Sequence, residues 1–351
     1  MSSPYQLFNE ILLNWFDNYG RKDLPWQHPR SAYRVWISEI MLQQTQVKTV
    51  IPYFMNFMDR FPDIKSLALA SEDDVLAHWS GLGYYSRARN LHKTAKIIHI
   101  ERHNEFPNEL DDLLKLPGIG ASTAAAIASL AFNKPTAILD GNVQRVLSRY
   151  FLIAGQPSLA KVKQIFWHIA NKCMPQDRCA DYTQAIMDMG ATCCKSKNPD
   201  CLSCPLQTTC LAYTNNVVGD YPYKKPKKNL PIRKQQFLLL HNEHNMIYLE
   251  KRPPVGLWGG LWCMPGIDMD RCPSSHINEI YKLRVEDSRE LMRIKHSFSH
   301  YHLHILALSL QCRNTSDGIA EYPGRWFSVE ELAGLGLAKP ISMIINRFFS
   351  S

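Results

Sequence analysis

The sequence lacks any run of about 18 apolar residues that could cross a membrane. Its opening stretch, MSSPYQLFNEILLNWF, also lacks the basic segment and the small-residue cleavage site of a signal peptide. These absences argue against a membrane partner and predict a cytoplasmic protein, whose thiols stay reduced. The ten cysteines are therefore expected to be metal ligands or core residues rather than disulfide partners.

Acidic residues are the scarcer charge, with 32 Asp and Glu against 40 Lys and Arg, which gives a formal net charge of +8. Such a balance favours a polyanionic partner but does not by itself establish one. The chain has 351 residues, of which 45% are hydrophobic. That length and composition predict two or three globular domains with real cores.

Alternating strand patterns are absent from the first part of the chain, where amphipathic helical segments recur between loops that contain Pro or Gly. Residues 5–19, for example, place large apolar side chains at helical spacing, and Gly20 is a natural stop. We predict an all-α domain over 1–217, which includes a cysteine-dense loop at 193–210, and a basic, proline-rich linker over 218–233. Residues 234–351 contain the strand-like segments QFLLL, MIYLEKR and HLHILALSL, which predict a separate α+β domain.

One carboxylate, Glu39, lies in the apolar segment YRVWISEIMLQQTQV, which we interpret as one helix over 33–47. Helical spacing surrounds it with a valine, a tryptophan and a leucine, and an ionised carboxyl group is costly there. It is either an ordinary half-exposed helix residue or a group kept protonated for a purpose. Gln43 and Gln44 follow one turn later on the same predicted helix.

Four cysteines near the end of the helical part have the spacing C-x6-C-x2-C-x5-C. A tetrahedral metal or an iron–sulfur cluster requires such a set of thiolates. Zinc also fits four sulfur atoms, although this spacing matches neither of its standard patterns. Chance clustering of buried cysteines is the bland alternative, and the adjacent Cys193 could compete as a ligand. The candidate ligands are Cys194, Cys201, Cys204 and Cys210.

The segment LPGIGASTAAAIASLAF joins a tight G-x-G turn, at Gly118 and Gly120, to a helix rich in small residues. Backbone N–H groups at such a turn can bind an anion, although a simple helix–helix connection explains the pattern equally well. Asp140 follows Ser122 by eighteen residues and precedes another helix. Locally it is most simply an N-cap, a role that does not exclude catalysis.

These features occur together and in order, and they resemble the helix–hairpin–helix DNA glycosylase superfamily with an iron–sulfur cluster loop. Within it, LPWQ, SEIMLQQTQV, GLGYYSRARNLH, LDGNVQRVLSR and NPDCLSCPLQTTC closely resemble the MutY family of adenine DNA glycosylases. The resemblance runs from about residue 8 to the end of the chain. It implies base flipping and excision of adenine mispaired with 8-oxoguanine or guanine in double-stranded DNA, and one 4Fe–4S cluster.

The resemblance also implies roles for residues that match the family's motifs. Glu39 matches the acid that protonates adenine, Asp140 the carboxylate that stabilises the oxocarbenium ion, and Asn142 a polar residue that supports the sugar and Asp140. A proton donor and an ion stabiliser require different environments. The residues that match DNA contacts are Gln43, Gln44, Tyr84, Gly118, Gly120 and Ser122, and those that match the adenine pocket are Trp26 and Gln184. Tyr84 has a bland alternative as a core aromatic.

A lysine is missing where endonuclease III-type relatives use one as the lyase nucleophile, since this chain has Ser122 there. Serine cannot form a Schiff base, so a monofunctional glycosylase is implied. Gln144 occupies a second position at which the family commonly has lysine. That departure puts residual lyase activity further in doubt.

The second domain resembles a Nudix hydrolase fold but lacks its acidic helix, since IDMDRCPSSHINEI stands in that place. Without those carboxylates Mg²⁺ would lack ligands, so we infer recognition rather than hydrolysis. Phe298, Ser299 and His300 match a family loop that contacts 8-oxoguanine. A metal site is the alternative, because we interpret His300, His302 and His304 as sharing one strand face.

The leading hypothesis is therefore a monomeric, bacterial, nucleoid-associated adenine glycosylase. One rival is an endonuclease III-like enzyme that excises oxidised pyrimidines and cuts the strand, against which Ser122 and the second domain both argue. The other is a zinc-stabilised DNA-binding protein in which Glu39 is merely structural.

Overall fold

A helical unit and a sheet-containing unit make up the chain in a computed structural model, which describes residues 3–223, 229–314 and 324–350. The lysine-rich run at 224–228, part of the predicted linker, lies outside the described residues. The contacts group Met1–Ala68 with Lys93–Lys227, and Leu69–His92 with Lys228–Ser351. Within the described residues, no helix has the length and apolar character that crossing a membrane demands.

Twelve α-helices form the part of the chain that precedes the linker, and polar caps begin several of them. Ser3 accepts a hydrogen bond from Gln6 N at the start of α1, and Ser31 accepts one from Arg34 N at the start of α2. The predicted first helix and its stop at Gly20 are confirmed. The helices are α1 Pro4–Tyr19, α2 Ala32–Leu42, α3 Val47–Arg60, α4 Ile64–Leu69, α5 Glu72–His78, α6 Ser86–Glu101, α7 Leu110–Leu114, α8 Ala121–Phe132, α9 Gly141–Tyr150, α10 Ala160–Cys173, α11 Cys179–Asp188 and α12 Leu211–Thr214.

The helix that carries Glu39 is shorter than the sequence predicts. Helix α2 ends at Leu42, and Gln43 is its C-cap. Gln44 then adopts a left-handed backbone conformation with φ of 59°, which an α-helix cannot contain. The interpretation of 33–47 as one helix is therefore wrong, because the turn at 43–46 separates α2 from α3.

Helices α7 and α8 form a helix–hairpin–helix around the LPGIG turn. Gly118 has φ of 80°, which favours glycine there, and Gly120 is the N-cap of α8. Most of α8 is buried, and its alanines let it pack against α2 and α11. The hairpin turn therefore leads directly into the helix that packs against α2, which carries Glu39.

A seven-stranded sheet forms the other unit, with strand order β3-β2-β1-β6-β5, while β4 pairs with β1 and β7 with β2. Strands β1 and β6 are parallel, and the other pairs are antiparallel. The three strands predicted from sequence are confirmed as β1, β2 and β6. The strands are β1 Ile232–His241, β2 Ile247–Lys251, β3 Trp262–Cys263, β4 Gly266–Ile267, β5 Leu283–Ser297, β6 His302–Asn314 and β7 Gly324–Phe327.

Three helices follow the linker in the described residues, and one of them begins in the segment IDMDRCPSSHINEI, where the sequence predicts no acidic helix. It is α13, Pro273–Tyr281, whose Ile277 is buried in a core that includes Leu238, Leu240 and Leu310. The other two are α14 Val329–Leu332 and α15 Lys339–Phe349. The predicted α+β character of this part of the chain is confirmed.

The segment 69–92 belongs to the sheet-containing unit, although it precedes the linker by more than a hundred residues. Asp73 and Lys251 form an ion pair with 2.7 Å between Oδ1 and Nζ. Ser80 Oγ donates to the carbonyl of Leu337 at 2.6 Å. Contacts of this kind, between segment 69–92 and residues beyond the linker, could not be predicted from the sequence. The predicted domain boundaries at 217 and 234 stay a prediction.

Candidate active site

Glu39 lies half-buried in α2, and its neighbours Val35, Trp36 and Ile40 are buried. Burial raises the pKa of its carboxyl group to about 8, and the nearby Asp140 carboxylate raises it further. Within the described residues, no hydrogen bond reaches this carboxyl group. Glu39 is therefore a carboxylic acid that keeps its proton at neutral pH.

Asp140 has a different environment, because it caps α9. Its Oδ1 accepts a hydrogen bond from Val143 N at 2.7 Å, and its Oδ2 accepts one from Asn142 Nδ2 at 3.4 Å. Burial raises the pKa of Asp140, while these donors and the positive charge of Arg145 oppose the rise. The predicted N-cap is confirmed. Burial raises the pKa of both carboxyl groups, but in the part of the chain that the structure describes only Asp140 has hydrogen-bond donors that favour its ionised form.

Arg145 connects the capped end of α9 to the cysteine loop. Its Nη2 donates to Asn142 Oδ1 at 2.8 Å and to Gly190 O at 2.7 Å, and its Nε donates to Cys194 O at 2.8 Å. Gly190 lies in a π-helical turn, Met189–Cys193, directly against Asn142. A Cβ at Gly190 would lie 2.6 Å from Asn142 Cβ, so only glycine fits. Sequence reasoning missed Gly190.

All four candidate metal ligands and Cys193 line one small cavity, together with Arg149. None of the cysteines forms a disulfide. Arg149 Nη1 donates to Cys194 Sγ at 3.3 Å, and Cys193 Sγ donates to Asp200 O at 3.3 Å. Burial raises the pKa values of the Cys194, Cys201 and Cys210 thiols, so their thiolates need a strong positive charge nearby.

No group of three or more His, Cys, Asp or Glu side chains in the described ranges is arranged to hold one metal ion. An iron–sulfur cluster keeps its cysteines farther apart than a single ion does, because inorganic sulfur and iron lie between them. The donor set of soft sulfur atoms fits such a cluster.

Ser122 and Gln43 both contact the region of the hairpin. Ser122 Oγ accepts a hydrogen bond from Leu139 N at 3.1 Å, which ties α8 to the residue before Asp140. Gln43 Nε2 donates to Thr123 Oγ1 at 3.3 Å. Gln44 is exposed, and nothing lies within 4 Å of a Cβ built at Gly120. The hairpin therefore presents open backbone beside the first turn of α8.

Trp26 and Gln184 are both buried, and a chain of polar contacts links their surroundings. Gln184 Nε2 donates to Asp188 Oδ1 at 2.8 Å, and Arg21 pairs with the same carboxylate at 2.6 Å. The carbonyl of Arg21 in turn accepts from Gln27, the neighbour of Trp26, at 3.0 Å. Sequence reasoning missed Arg21 and Asp188, although a lone aspartate in the apolar run AIMDMG was a signal.

Tyr84 belongs to the sheet-containing unit, where it is 48% exposed in a left-handed conformation with φ of 46°. The Arg87 guanidinium lies 5.5 Å from its ring centroid and donates to Leu82 O at 3.2 Å. Trp79 Nε1 donates to Gly83 O at 3.2 Å. The exposure of the Tyr84 ring argues against the alternative of a core aromatic. Hydrogen bonds hold the surrounding turn while the ring itself stays accessible.

Phe298, Ser299 and His300 form the turn between β5 and β6, closed by a hydrogen bond of 2.9 Å from Phe298 N to Tyr301 O. Phe298 stacks on the buried Tyr301 with 4.7 Å between ring centroids. Ser299 and His300 are exposed. The tip of this turn is therefore available to a ligand, while its base is packed.

The three histidines do not share one strand face, so that interpretation was wrong. Strand β6 begins at His302, which leaves His300 in the turn. His302 Nδ1 hydrogen-bonds with Ser297 Oγ at 2.8 Å, and His304 is half-buried two residues later. A three-histidine ligand set on one strand is therefore not present.

The candidate residues thus form two groups. The helical unit holds the two carboxyl groups, the hairpin, the glutamines, the cysteine loop and the buried pair Trp26 and Gln184. The sheet-containing unit holds Tyr84 and the 298–300 turn.

Two family profiles match the chain. The profile of the HhH-GPD superfamily of base excision DNA repair proteins matches residues 37–172. The profile of the NUDIX domain matches residues 236–347.

Curated relatives match almost the whole chain. The adenine DNA glycosylase of Buchnera aphidicola subsp. Schizaphis graminum is 40% identical over 348 residues, which cover 97% of this chain and 99% of the relative. The adenine DNA glycosylase of Homo sapiens is 32% identical and covers 94% of this chain and 73% of the relative.

Solved structures resemble the helical part. A thermostable thymine-DNA glycosylase has a TM-score of 0.55 and 27% identity, and the match covers 60% of this chain and 97% of that one. Endonuclease III in a non-covalent DNA complex has a TM-score of 0.52 at 21% identity, covering 62% of this chain and 99% of that one, which shows the fold alone.

Proposed function

The chain belongs to the MutY family of adenine DNA glycosylases, and we propose that it removes adenine mispaired with 8-oxoguanine or guanine from duplex DNA. It is a DNA glycosylase of base excision repair. The finer proposal rests above all on one observation, the pair of carboxyl groups at Glu39 and Asp140 in contrasting environments. Action on the chromosome, as a monomer at the bacterial nucleoid, completes the proposal.

Glu39 is the proton donor in this proposal. Its pKa of about 8 keeps the carboxyl group protonated at neutral pH, where an ordinary glutamate is ionised. Transfer of that proton to a ring nitrogen of adenine lets the base leave as a neutral molecule when the N-glycosidic bond breaks. General acid catalysis of this kind contributes about 10²- to 10⁴-fold to a rate.

Asp140 stabilises the positive charge that develops on the sugar. Its carboxylate is held by Val143 N and the Asn142 side chain, so it is oriented before the substrate binds. Asn142 is in turn fixed by Arg145. One acid and one carboxylate are the arrangement that glycoside hydrolysis uses, applied here to a nucleoside.

The enzyme is monofunctional in this proposal. The Ser122 hydroxyl group is an acceptor for Leu139 N, and a serine there has no amine to attack the sugar carbon. Gln144, likewise, has no amine. Strand cleavage therefore falls to another activity.

DNA binding uses both units. The open backbone of the hairpin at Gly118 and Gly120 offers N–H groups to a phosphate, with Ser122 beside it. Gln43 and Gln44 occupy the space near the flipped nucleotide, and Tyr84 inserts into the base stack. The flipped adenine enters a pocket lined by Trp26 and Gln184.

HhH-GPD glycosylases of the endonuclease III and MutY group typically carry a 4Fe–4S cluster. In this chain Cys194, Cys201, Cys204 and Cys210 would hold it, and its iron would supply the positive charge that buried thiolates need. The neighbouring lysines, Lys195 and Lys197, would then be fixed on a rigid loop that faces a phosphate backbone.

The 298–300 turn reads 8-oxoguanine in this proposal. Ser299 and His300 are exposed hydrogen-bonding groups, and Phe298 is a partly exposed aromatic ring beside them. Such a combination suits a base, which has both polar edges and a stacking face.

Single-turnover base release should be measured on duplexes that contain A opposite 8-oxoguanine, A opposite G, or an oxidised pyrimidine. We expect release from the first two and no strand cleavage without added alkali. Release from the oxidised pyrimidine alone, or strand cleavage coupled to release, would overturn the proposal. A yellow-brown protein with broad visible absorption is expected if the cluster is iron–sulfur, and a colourless one if the metal is zinc.

A further inference from the structure

Arg89 on α6 makes contacts that none of the roles above uses. Its guanidinium donates through Nη1 to Gly259 O, and through Nη2 to Pro254 O at 2.7 Å. Both carbonyls belong to residues 252–262, here named the glycine loop, which follows β2. No carboxylate pairs with Arg89 in the described parts of the chain. A planar guanidinium that bridges two backbone carbonyls fixes the shape of a loop as well as its place.

The glycine loop is folded too tightly to hold other residues at two positions. A Cβ at Gly259 would lie 2.4 Å from Pro254 O. Gly260 has φ of 81°, and its N–H faces the carbonyls of Arg252 and Pro253, both at 3.2 Å. The loop is thus closed on itself, with Arg89 bonded to its outer carbonyls.

Trp258 connects this loop to the 298–300 turn. It is only 6% exposed and has φ of 52°, an uncommon conformation for a large side chain. Its ring centroid lies 6.2 Å from that of Phe298 and 6.0 Å from that of His296. The position of the loop therefore sets the surface against which the turn packs.

Arg89 is also close to Tyr84, an exposed aromatic in the connection 79–85 between α5 and α6, here named the Tyr84 turn. The Arg89 backbone N–H donates to Tyr85 O at 3.1 Å, one residue after Tyr84. The ion pair between Asp73 of α5 and Lys251, the residue before the glycine loop, ties segment 69–92 to the end of β2. A continuous series of contacts thus runs from the Tyr84 turn through Arg89, the glycine loop and Trp258 to Phe298.

We propose that Arg89 is a positioning residue for lesion recognition, which holds the Tyr84 turn and the 298–300 turn in fixed register through the glycine loop. This inference rests on the proposed function, in which both turns contact the DNA. Loss of Arg89 should impair discrimination between 8-oxoguanine and guanine opposite adenine, while the chemistry of base release stays intact.

The test compares single-turnover rates on A:8-oxoguanine and A:G duplexes for the full-length, metal-loaded wild type, Arg89→Met and Arg89→Lys. We expect Arg89→Met to lower the ratio of the two rates about tenfold and to leave the A:G rate within about twofold. Lysine keeps the charge but lacks the planar fork that spans two carbonyls, so Arg89→Lys should give an intermediate ratio. Lys96→Met is the matched control, because it removes an exposed cation from the same helix.

Hydrogen exchange measured on the same variants gives a readout besides activity. The amides of the glycine loop should exchange faster in Arg89→Met, whereas those of β5 and β6 should not. Trp258→Asn removes the ring that joins the glycine loop to Phe298, and asparagine tolerates the left-handed backbone at this position. This variant should also lower the ratio of the A:8-oxoguanine rate to the A:G rate.

Each remaining outcome has a separate meaning. No wild-type release from either duplex would overturn the proposed function, whereas equal wild-type rates on the two would overturn only the proposed reading of 8-oxoguanine by the 298–300 turn. If the wild type prefers A:8-oxoguanine over A:G and both Arg89→Met and Trp258→Asn keep that ratio of rates, only the positioning role is overturned. Equal loss on both duplexes, or a lower ratio without faster loop exchange, would show that Arg89 does not act through the glycine loop.

Discussion

The carboxyl pair in the helical unit and the 298–300 turn in the sheet-containing unit are held in opposite ways. Glu39 and Asp140 are half-buried, and their surroundings set their charge directly. Ser299 and His300 are exposed, and their support comes from the rings packed behind them. In the proposed function, the groups assigned to chemistry thus depend on the side chains that touch them, whereas the groups assigned to lesion recognition depend on a packed base.

Replacing Glu39, the proposed acid, should give the largest effect and so tests the comparison of the carboxyl pair with the 298–300 turn most directly. Glu39→Gln keeps the shape of the side chain but has no proton to donate. We expect base release to fall about 10²- to 10⁴-fold in a single-turnover assay, with duplex affinity largely unchanged. Glu101→Gln, an exposed change at the end of α6, is the control. A near-normal rate for Glu39→Gln would show that this carboxyl group is not the acid.

Crowding the support of Asp140 should give the next largest effect. A methyl group in Gly190→Ala would lie 2.6 Å from Asn142 Cβ and so displace the first turn of α9. A misplacement of this kind costs about 10²-fold in rate, measurable on either adenine mispair. Gly219→Ala is the matched control, because nothing lies within 4 Å of the added Cβ. Normal kinetics for Gly190→Ala would mean that the packing of Asn142 is not needed.

Raising the pH should distinguish the two regions. In the proposed mechanism Glu39 must be protonated, and its pKa is raised to about 8, so release is expected to be constant just below that pH. At more acid pH the rate should fall again, because the Asp140 carboxyl group, whose pKa burial also raises, must be ionised. Above a pH of about 8 the ionised fraction of Glu39 grows, and the rate should fall about tenfold for each pH unit. The ratio of rates on the two mispairs should stay constant, because the 298–300 turn has no part in that titration. A flat rate up to pH 10 would contradict the assignment of this pKa.

The smallest effect should follow from truncating the turn itself. Phe298→Ala removes the ring that stacks on Tyr301, and we expect the preference for A:8-oxoguanine over A:G to fall about tenfold. The A:G rate should barely change. Phe349→Ala, an exposed aromatic in α15, controls for general loss of stability. Equal loss on both mispairs would indicate a structural role for Phe298.

Local sequence patterns predicted much of this architecture. Apolar periodicity located the helices, and the strand-like segments QFLLL, MIYLEKR and HLHILALSL located β1, β2 and β6. The N-cap at Asp140 was also readable, because aspartate followed by Gly and a helical pattern is a strong local signal.

Features that depend on contacts between distant residues could not be predicted. The left-handed Gln44 ended α2 without a glycine to mark the place. Gly190 is required by Asn142, forty-eight positions earlier, and Asp188 is fixed by Arg21, still farther away. The grouping of 69–92 with the sheet-containing unit likewise has no local sequence signal.

The turn that ends α2 at Leu42 also bears on how such an enzyme can change over time. Because Gln43 and Gln44 stand outside the helix, their orientation is not coupled to the rotation that aims Glu39. In the proposed function, an insertion, deletion or exchange in that turn would change the glutamines beside the DNA without rotating Glu39 about the axis of α2. The residues proposed to contact the duplex and the proposed acid can therefore be altered independently.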